Sequence, residues 1–508
     1  MQVVILNGTK CSEESQNPKK SFLIPRFAQN ENRNVFTNRE LVIYFHSYSL
    51  DREKSMKNIA PKLPTEQYEK NFMDLHPPFT NNSAVAEANR CLYCYDSPCM
   101  KACPTHIDIS TFIKKISTGN LLGSAKTIYE SNWVPLTCAK ACPVAVLCEG
   151  ACVYNAKGEN PIEIGRLQRY AIENYFDKGM PALFQKLPKN GKSVGIVGSG
   201  PAGLACSAEL SLMGYEVTIY EANKIPGGLN TWGIAPYKMR REDSLKEVEL
   251  VKSFGVDLKT EVMIGKTIKV DDLLKKHDAI FLGVGLGESP QLSIPGEELS
   301  GVVGALDFIE KVKTENWADV HVGKRVAVIG AGNTSIDAAT EAKRLGAEQV
   351  YIIYRRSDIE MSAYDFEYEL AKKDGIVFYF LTSPKRILGK GFVEGIECLK
   401  MKLGEPDNRG KRKPVSIPGS EFTIPVDMII KAIGQETKSS FLSSILKVTL
   451  DDEGCVIVDQ TTYQTANPLI FAGGDCINGG KEVVNAAYDG KRAAHGIDKF
   501  LSNLEGGQ

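Results

Sequence analysis

A strand, a glycine turn, a helix and a second strand occur twice in this chain, and that repeated unit restricts the fold more than any other feature. Ser193-Val194-Gly195-Ile196-Val197 runs into Gly198-Ser199-Gly200-Pro201-Ala202-Gly203, then a helix to Gly214 and the strand Val217-Thr218-Ile219-Tyr220-Glu221. Arg325-Val326-Ala327-Val328-Ile329 runs into Gly330-Ala331-Gly332-Asn333-Thr334-Ser335, then a helix to Gly346 and Val350-Tyr351-Ile352-Ile353-Tyr354-Arg355-Arg356. Each unit demands parallel strands joined by a right-handed crossover, so two Rossmann-like α/β dinucleotide sites are expected.

A glycine triplet alone is weak evidence, but here each lies between an apolar strand and a helix. Glycines Gly198, Gly200 and Gly203 let backbone approach a pyrophosphate at the helix amino terminus. Glu221 stands at the next strand end, where a carboxylate accepts from ribose hydroxyls. With Gly227, Gly228 and Leu229, and the late Gly474-Asp475, this first unit is read as an FAD site. In the second unit Gly330, Gly332, Asn333 and Thr334 form the turn, and Ser335 replaces the third glycine. The ribose position carries Arg355-Arg356, and paired guanidinium groups suit a 2′-phosphate. NADPH is thereby favoured, with NADH the choice if the arginines form a strand-end salt bridge instead. Asp337 is a candidate for the nicotinamide end, or simply a carboxylate at a helix amino terminus.

Upstream, Cys91-x2-Cys94-x4-Cys99-x3-Cys103-Pro104 is followed by Cys138, Cys142-Pro143, Cys148 and Cys152. Closely spaced thiolates converge on soft metal centres, and Cys-Pro closes ferredoxin-type runs. Two closed zinc sites would use the same residues, but zinc is redox-silent beside two dinucleotide sites. Spacing alone leaves open which cysteines share a cluster. No cysteine pair lies near either fingerprint, so a redox disulfide is not the electron exit. An expected helix around Thr111–Lys114 can be capped by Asp108 or Ser110. Ile164, Leu167, Ala171 and Tyr175 recur on one helical face.

At 508 residues about three domains are expected. With 61 basic and 62 acidic residues the net charge is −1, which gives no reason to expect nucleic acid or an anionic membrane as partner. No apolar run approaches the roughly 20 residues of a spanning helix. The amino terminus does not resemble a secretory signal, and a cytoplasmic location is expected, where clustered cysteines more often hold metal than pair as disulfides. Residues 1–56 read as a poorly ordered extension, and Met56 is a candidate true start.

Cys91-Leu92-Tyr93-Cys94 through Cys103-Pro104-Thr105-His106-Ile107-Asp108, with Cys138–Cys152 and Ile164-Gly165-Arg166-Leu167-Gln168, resembles the amino-terminal half of dihydropyrimidine dehydrogenase. Residues 57–505 are similar to its bacterial separate-subunit version and to the wider glutamate synthase small-subunit family. The resemblance implies a multidomain fold: an α-helical bis-[4Fe-4S] domain at 57–185, an FAD domain at 190–298 plus 431–505, and an NAD(P)H domain at 299–430. It implies one cluster on Cys91, Cys94, Cys99 and Cys152, and another on Cys103, Cys142, Cys148 and the Gln168 amide, with Cys138 outside both. Phe281–Gly285 and Asp427–Gly434 are expected to pair as strands at the hinges, and the helix near Val484–Ala487 to point at the flavin. The implied function is an oxidoreductase subunit passing electrons from NAD(P)H through FAD and the clusters to a partner carrying FMN, iron–sulfur clusters and a uracil or thymine site. The small subunit of NADPH-dependent glutamate synthase and a ferredoxin-NADP electron-exchange subunit are the alternatives.

Overall fold

The computed structural model describes residues 58–406 and 412–503. The expected extension 1–56, including Met56, lies outside them.

Helix signals in the cysteine-rich region act locally. Asp108 accepts from the Thr111 amide (3.0 Å) and starts the helix Ile109–Ser117. Ser110, the other candidate cap, instead shares a hydrogen bond with Ser97 (2.8 Å). Pro98 and Pro135 open the helices Pro98–Ala102 and Pro135–Ala141, where a missing N–H costs nothing. The helix Ile164–Asp177 buries Ile164, Leu167, Ala171 and Tyr175 on one face. Phe112, Ile113, Ile128, Leu136 and Leu167 make the interior of this helical region, continuous with that of the first sheet.

That sheet contains β1 (Ser193–Val197), β2 (Glu216–Tyr220), β3 (Asp257–Lys259), β4 (Ala279–Leu282) and the late β14 (Ile470–Ala472). All are parallel, in the order β14-β4-β1-β2-β3. The second sheet orders β5 (Val302–Gly304), β13 (Met428–Lys431), β6 (Arg325–Ile329), β7 (Gln349–Ile353) and β8 (Val377–Tyr379), again parallel.

An antiparallel sheet that the sequence did not announce joins β9 (Thr382–Gly389), β10 (Val393–Pro406), β11 (Arg412–Ser416) and β12 (Phe422–Ile424). Strand periodicity explains its seat. Val326 and Val328 of β6 face a helix-covered core with Ile336 and Phe308, while Ala327 and Ile329 face a second core with Ile396 and Ile424 of the antiparallel sheet.

Two expectations need correction. β4 and β13 do not pair with each other; each lies inside its own sheet, and only the linkers beyond them meet, through Gly287 N–H to the Glu436 carbonyl (2.6 Å) and Glu436 N–H to the Glu288 carbonyl (2.9 Å). Residues 58–72, assigned to the cysteine domain, pack on the second sheet's unit. Ile59 bridges to Gly323, and Phe72 stacks on Trp317 at 4.5 Å between ring centres. The sequence could not show this because the apolar face of a seven-residue helix does not name its acceptor.

Candidate functional site

In the first unit, Gly198 and Gly200 turn the chain from β1 into the helix Pro201–Leu212. A Cβ at Gly203 would lie 2.0 Å from the Gly198 carbonyl oxygen, so only glycine lets this helix start so close beneath the turn. Glu221 follows β2 and is buried; it accepts from the Ser199 amide (3.0 Å) and hydroxyl (2.5 Å) and from the Asn223 amide (2.8 Å). The Ser199 hydroxyl in turn accepts from Gly227 N–H (2.9 Å), while Gly228 packs on Gly200 and precedes the short helix Leu229–Trp232. Gly474 donates to Asp489 (3.1 Å), and Asp475 opens the next short helix, its carboxyl raised by burial. The glycine cradle and the carboxylate at the strand end fit the diphosphate and ribose of a dinucleotide.

The second unit borders a cavity of about 800 Å³, lined by Gly330, Gly332, Thr334 and Arg355 and, from the other side, by Gly479 and Gly480. Gly330 has φ +123°, and a Cβ there would lie 2.1 Å from the Ala432 carbonyl oxygen. Asn333 accepts from the Tyr364 amide (3.1 Å). The arginine pair diverges: Arg355 lines the cavity, whereas Arg356 does not, and its Nε is buried without a hydrogen-bond partner among the described residues. Neither makes an ion pair among those residues, unlike the strand-end bridge considered above.

Asp337 does not line this cavity. It accepts from the Tyr237 hydroxyl (2.6 Å) and pairs with Lys238 (2.7 Å), which also meets Glu367 (2.5 Å). Burial opposes the Lys238 charge, but Asp337 and Glu367 outweigh it and hold the ammonium above its ordinary value. The candidate for nicotinamide chemistry is thus engaged in a buried interdomain ion pair, and Lys238, to which the sequence assigned nothing, is its partner.

The cysteines fall into two neighbourhoods. Burial raises Cys99 to about 11, with Cys91 and Cys152 close enough to add repulsion; Cys91 is raised by burial and feels Cys94 and Cys152. Cys103, Cys142, Cys148 and Gln168 line one small cavity with Cys138 and Val484. The hydrogen bond from Cys138 and then burial raise Cys142 well above its ordinary value, with Cys148 and Cys103 adding to both. Gln168 is buried on its helix and donates through Nε2 to the Pro135 carbonyl (2.7 Å), which directs the amide oxygen the other way. Cys138 accepts from Asn132 (3.2 Å). Among the described residues no three His, Cys, Asp or Glu side chains converge tightly enough for one ion. A four-iron cube is larger and takes its ligands at separate corners, and both neighbourhoods suit that chemistry.

The segment from Gly474 to Val484 connects these places. It carries Gly474-Asp475 of the first site, Gly479-Gly480 of the 800 Å³ cavity, and Val484 of the cysteine cavity. The doubled glycines after Asp475 were the one sequence signal that could have revealed it.

Two dinucleotide units fused to a cysteine module define an NAD(P)H-dependent flavin and iron–sulfur oxidoreductase. A family model described as dihydropyrimidine dehydrogenase domain II, 4Fe-4S cluster, matches residues 68–180, and one described as pyridine nucleotide-disulphide oxidoreductase matches 192–490. The chain is 33% identical to the glutamate synthase [NADPH] small chain of Escherichia coli strain K12, over 87% of this chain and 96% of that one. It is 34% identical to the NADP(+)-dependent formate dehydrogenase subunit beta of Moorella thermoacetica, over 80% of this chain and 60% of the relative. The fold is shared with Mycobacterium tuberculosis FprA in complex with NADPH, at TM-score 0.52 and 21% identity, covering 63% of this chain and 86% of that one. The chain belongs to the glutamate synthase small-chain family, with FAD, [4Fe-4S] clusters and NAD(P)H as its cofactors. Among the described residues no helix is long and apolar enough to cross a membrane.

Proposed function

We propose that this chain is the NADPH-oxidising subunit of a heteromeric enzyme, sending electrons to a partner through two clusters. The observation that carries the reading is the Gly474–Val484 segment, which touches the flavin unit, the nucleotide cavity and the cysteine cavity within eleven residues. When bound, FAD would supply hydride acceptance from the nicotinamide and one-electron release. This chain's own residues then bind and orient. Gly198, Gly200, Gly203 and Glu221 hold FAD with Gly227, Gly228, Leu229, Gly474 and Asp475. Gly330, Gly332, Asn333 and Thr334 hold the nucleotide, with Arg355 reading the 2′-phosphate. Cys91, Cys94, Cys99 and Cys152 hold one cluster, and Cys103, Cys142, Cys148 and Gln168 the other.

The relatives favour a glutamate synthase type of partner over the pyrimidine-reducing one implied by the cysteine motifs. Small chains of glutamate synthase match over nearly their full length, in Escherichia coli and in Halomonas elongata (32% identity, 95% of that chain). Leu92 and Tyr95, exposed beside the first cysteine group, support electron exit there. The test is co-expression with the neighbouring gene's product, followed by assay of NADPH oxidation with 2-oxoglutarate and glutamine, and separately with uracil. Glutamate formation is expected; uracil-dependent oxidation instead would overturn the choice of partner.

A further inference from the structure

We propose that Tyr364 and Glu482 form a hydrogen-bonded latch that positions the nicotinamide unit against the flavin unit for hydride transfer. The inference rests on the reading above, that the 800 Å³ cavity takes NADPH and the first unit FAD.

The latch joins the starts of two helices, one on each unit. The Tyr364 amide donates to Asn333 Oδ1 (3.1 Å), and Asn333 is the first residue of the helix Asn333–Arg344 that opens on the cavity. The Tyr364 hydroxyl donates to Glu482 Oε1 (2.7 Å), 118 residues away on the flavin unit. The Glu482 carbonyl accepts from the Asn485 amide (2.9 Å), which sets Glu482 at the start of the helix Val483–Asn503. On either side of it, Gly480 lines the nucleotide cavity and Val484 the cysteine cavity.

Tyr364 is held for this task. Its ring stacks on Phe366, 5.6 Å between centres and 7° from parallel, so the hydroxyl has little freedom to swing away. Burial first, and then the Glu482 carboxylate, raise its pKa, so it remains a donor. The Lys238–Asp337–Glu367 ion pairs attach the two units; a hydroxyl bonded to a carboxylate adds direction, because such bonds are short and angle-dependent. Hydride transfer needs that direction, since reactivity falls steeply once the reacting atoms leave a near-attack geometry. Tyr364 does not line the nucleotide cavity and is a positioning residue.

The experiment uses the full chain with FAD and clusters bound, mixed anaerobically with NADPH while flavin bleaching is followed. Tyr364→Phe keeps the ring and its stack. Flavin and iron content are expected to stay at the wild-type level, NADP+ affinity to change by less than about twofold, and the limiting bleaching rate to fall about tenfold, the worth of one charge-assisted hydrogen bond. Glu482→Ala should match that loss, the double variant should be no slower than either single one, and Glu482→Gln, which keeps an acceptor oxygen, should restore most of the rate. A wild-type rate in Tyr364→Phe, or additive losses in the double variant, would overturn the latch.

Amide hydrogen exchange over residues 479–487, measured without nucleotide, separates this from failure of the site reading. Wild-type protein whose flavin neither NADPH nor NADH bleaches would sink the site reading. In that event, faster exchange in Tyr364→Phe than in wild type would show that the contact holds residues 479–487 whatever the cavity binds, and identical exchange would refute the latch.

Discussion

Glu247, on the flavin unit's helix Arg241–Ser253, accepts the backbone N–H groups of Leu136 (2.7 Å) and Thr137 (3.1 Å), so a carboxylate from one module caps the cysteine-bearing helix Pro135–Ala141 of another. The Thr137 hydroxyl adds a third donor. Burial is complete and outweighs these donors, pushing the Glu247 carboxyl from its ordinary 4.5 up to about 8.

Below about pH 4.5 folded and unfolded chains both hold this proton; between there and about pH 8 the folded chain keeps it while the unfolded chain loses it. Stability from this group is therefore lost as pH rises through about 8. Glu247→Gln should melt near wild type at about pH 5 and above it at about pH 8 to 9. Melting curves for the two proteins that run parallel across that range would show that Glu247 does not titrate there.

Gln168→Ala should remove one cluster and spare the other. Low-temperature electron paramagnetic resonance of the reduced protein is expected to lose one of two signals, with iron and sulfide falling by about half. Gln168→Cys should keep both while shifting the potential of one, because a thiolate replaces a neutral amide. Two unaltered signals in Gln168→Ala would remove the amide from the ligand set.

Arg355 and Arg356 should behave differently despite adjacency. Arg355→Ala is expected to raise KM for NADPH by about tenfold or more, with little change for NADH, as loss of a charge-assisted phosphate contact requires. Arg356→Ala should leave the preference nearly unchanged, since its side chain does not line the cavity. Equal effects from both would mean the strand end rearranges around nucleotide.

Asp337→Ala should act on stability more than on chemistry. It leaves the buried Lys238 with Glu367 alone, and breaking such a pair costs about 3–5 kcal/mol. Denaturant titration should show that loss, while the folded fraction bleaches flavin at a near wild-type rate. A folded variant that had lost hydride transfer would return Asp337 to the nicotinamide.

What the sequence disclosed depended on range. The Asp108 cap and the Ile164–Tyr175 face are decided within a few residues, and the two glycine turns are decided by the strand and helix that flank them. Asp337 was open to two readings because its local context, a carboxylate in the first turns of a helix, is the same whether it faces a ligand or a lysine 99 residues earlier. Arg355 and Arg356 were indistinguishable because opposite exits from a strand end are set by neighbours, here the Leu381 amide bonded to the Arg356 carbonyl (2.9 Å). No local pattern pairs Tyr364 with Glu482, 118 residues apart, and only the folded chain brings them together.

The docking of residues 58–72 also constrains how the chain is made. Phe72 needs Trp317, and Asn71 donates to the Arg344 carbonyl, 273 residues further on (2.7 Å). During synthesis the cysteine module and much of the flavin sheet leave the ribosome before Trp317 does, and until then this early segment can meet little beyond Arg240, which donates to the Phe72 carbonyl (3.1 Å). Its full docking waits until Trp317 and Arg344 have been made, so residues 58–72, synthesised early, settle late.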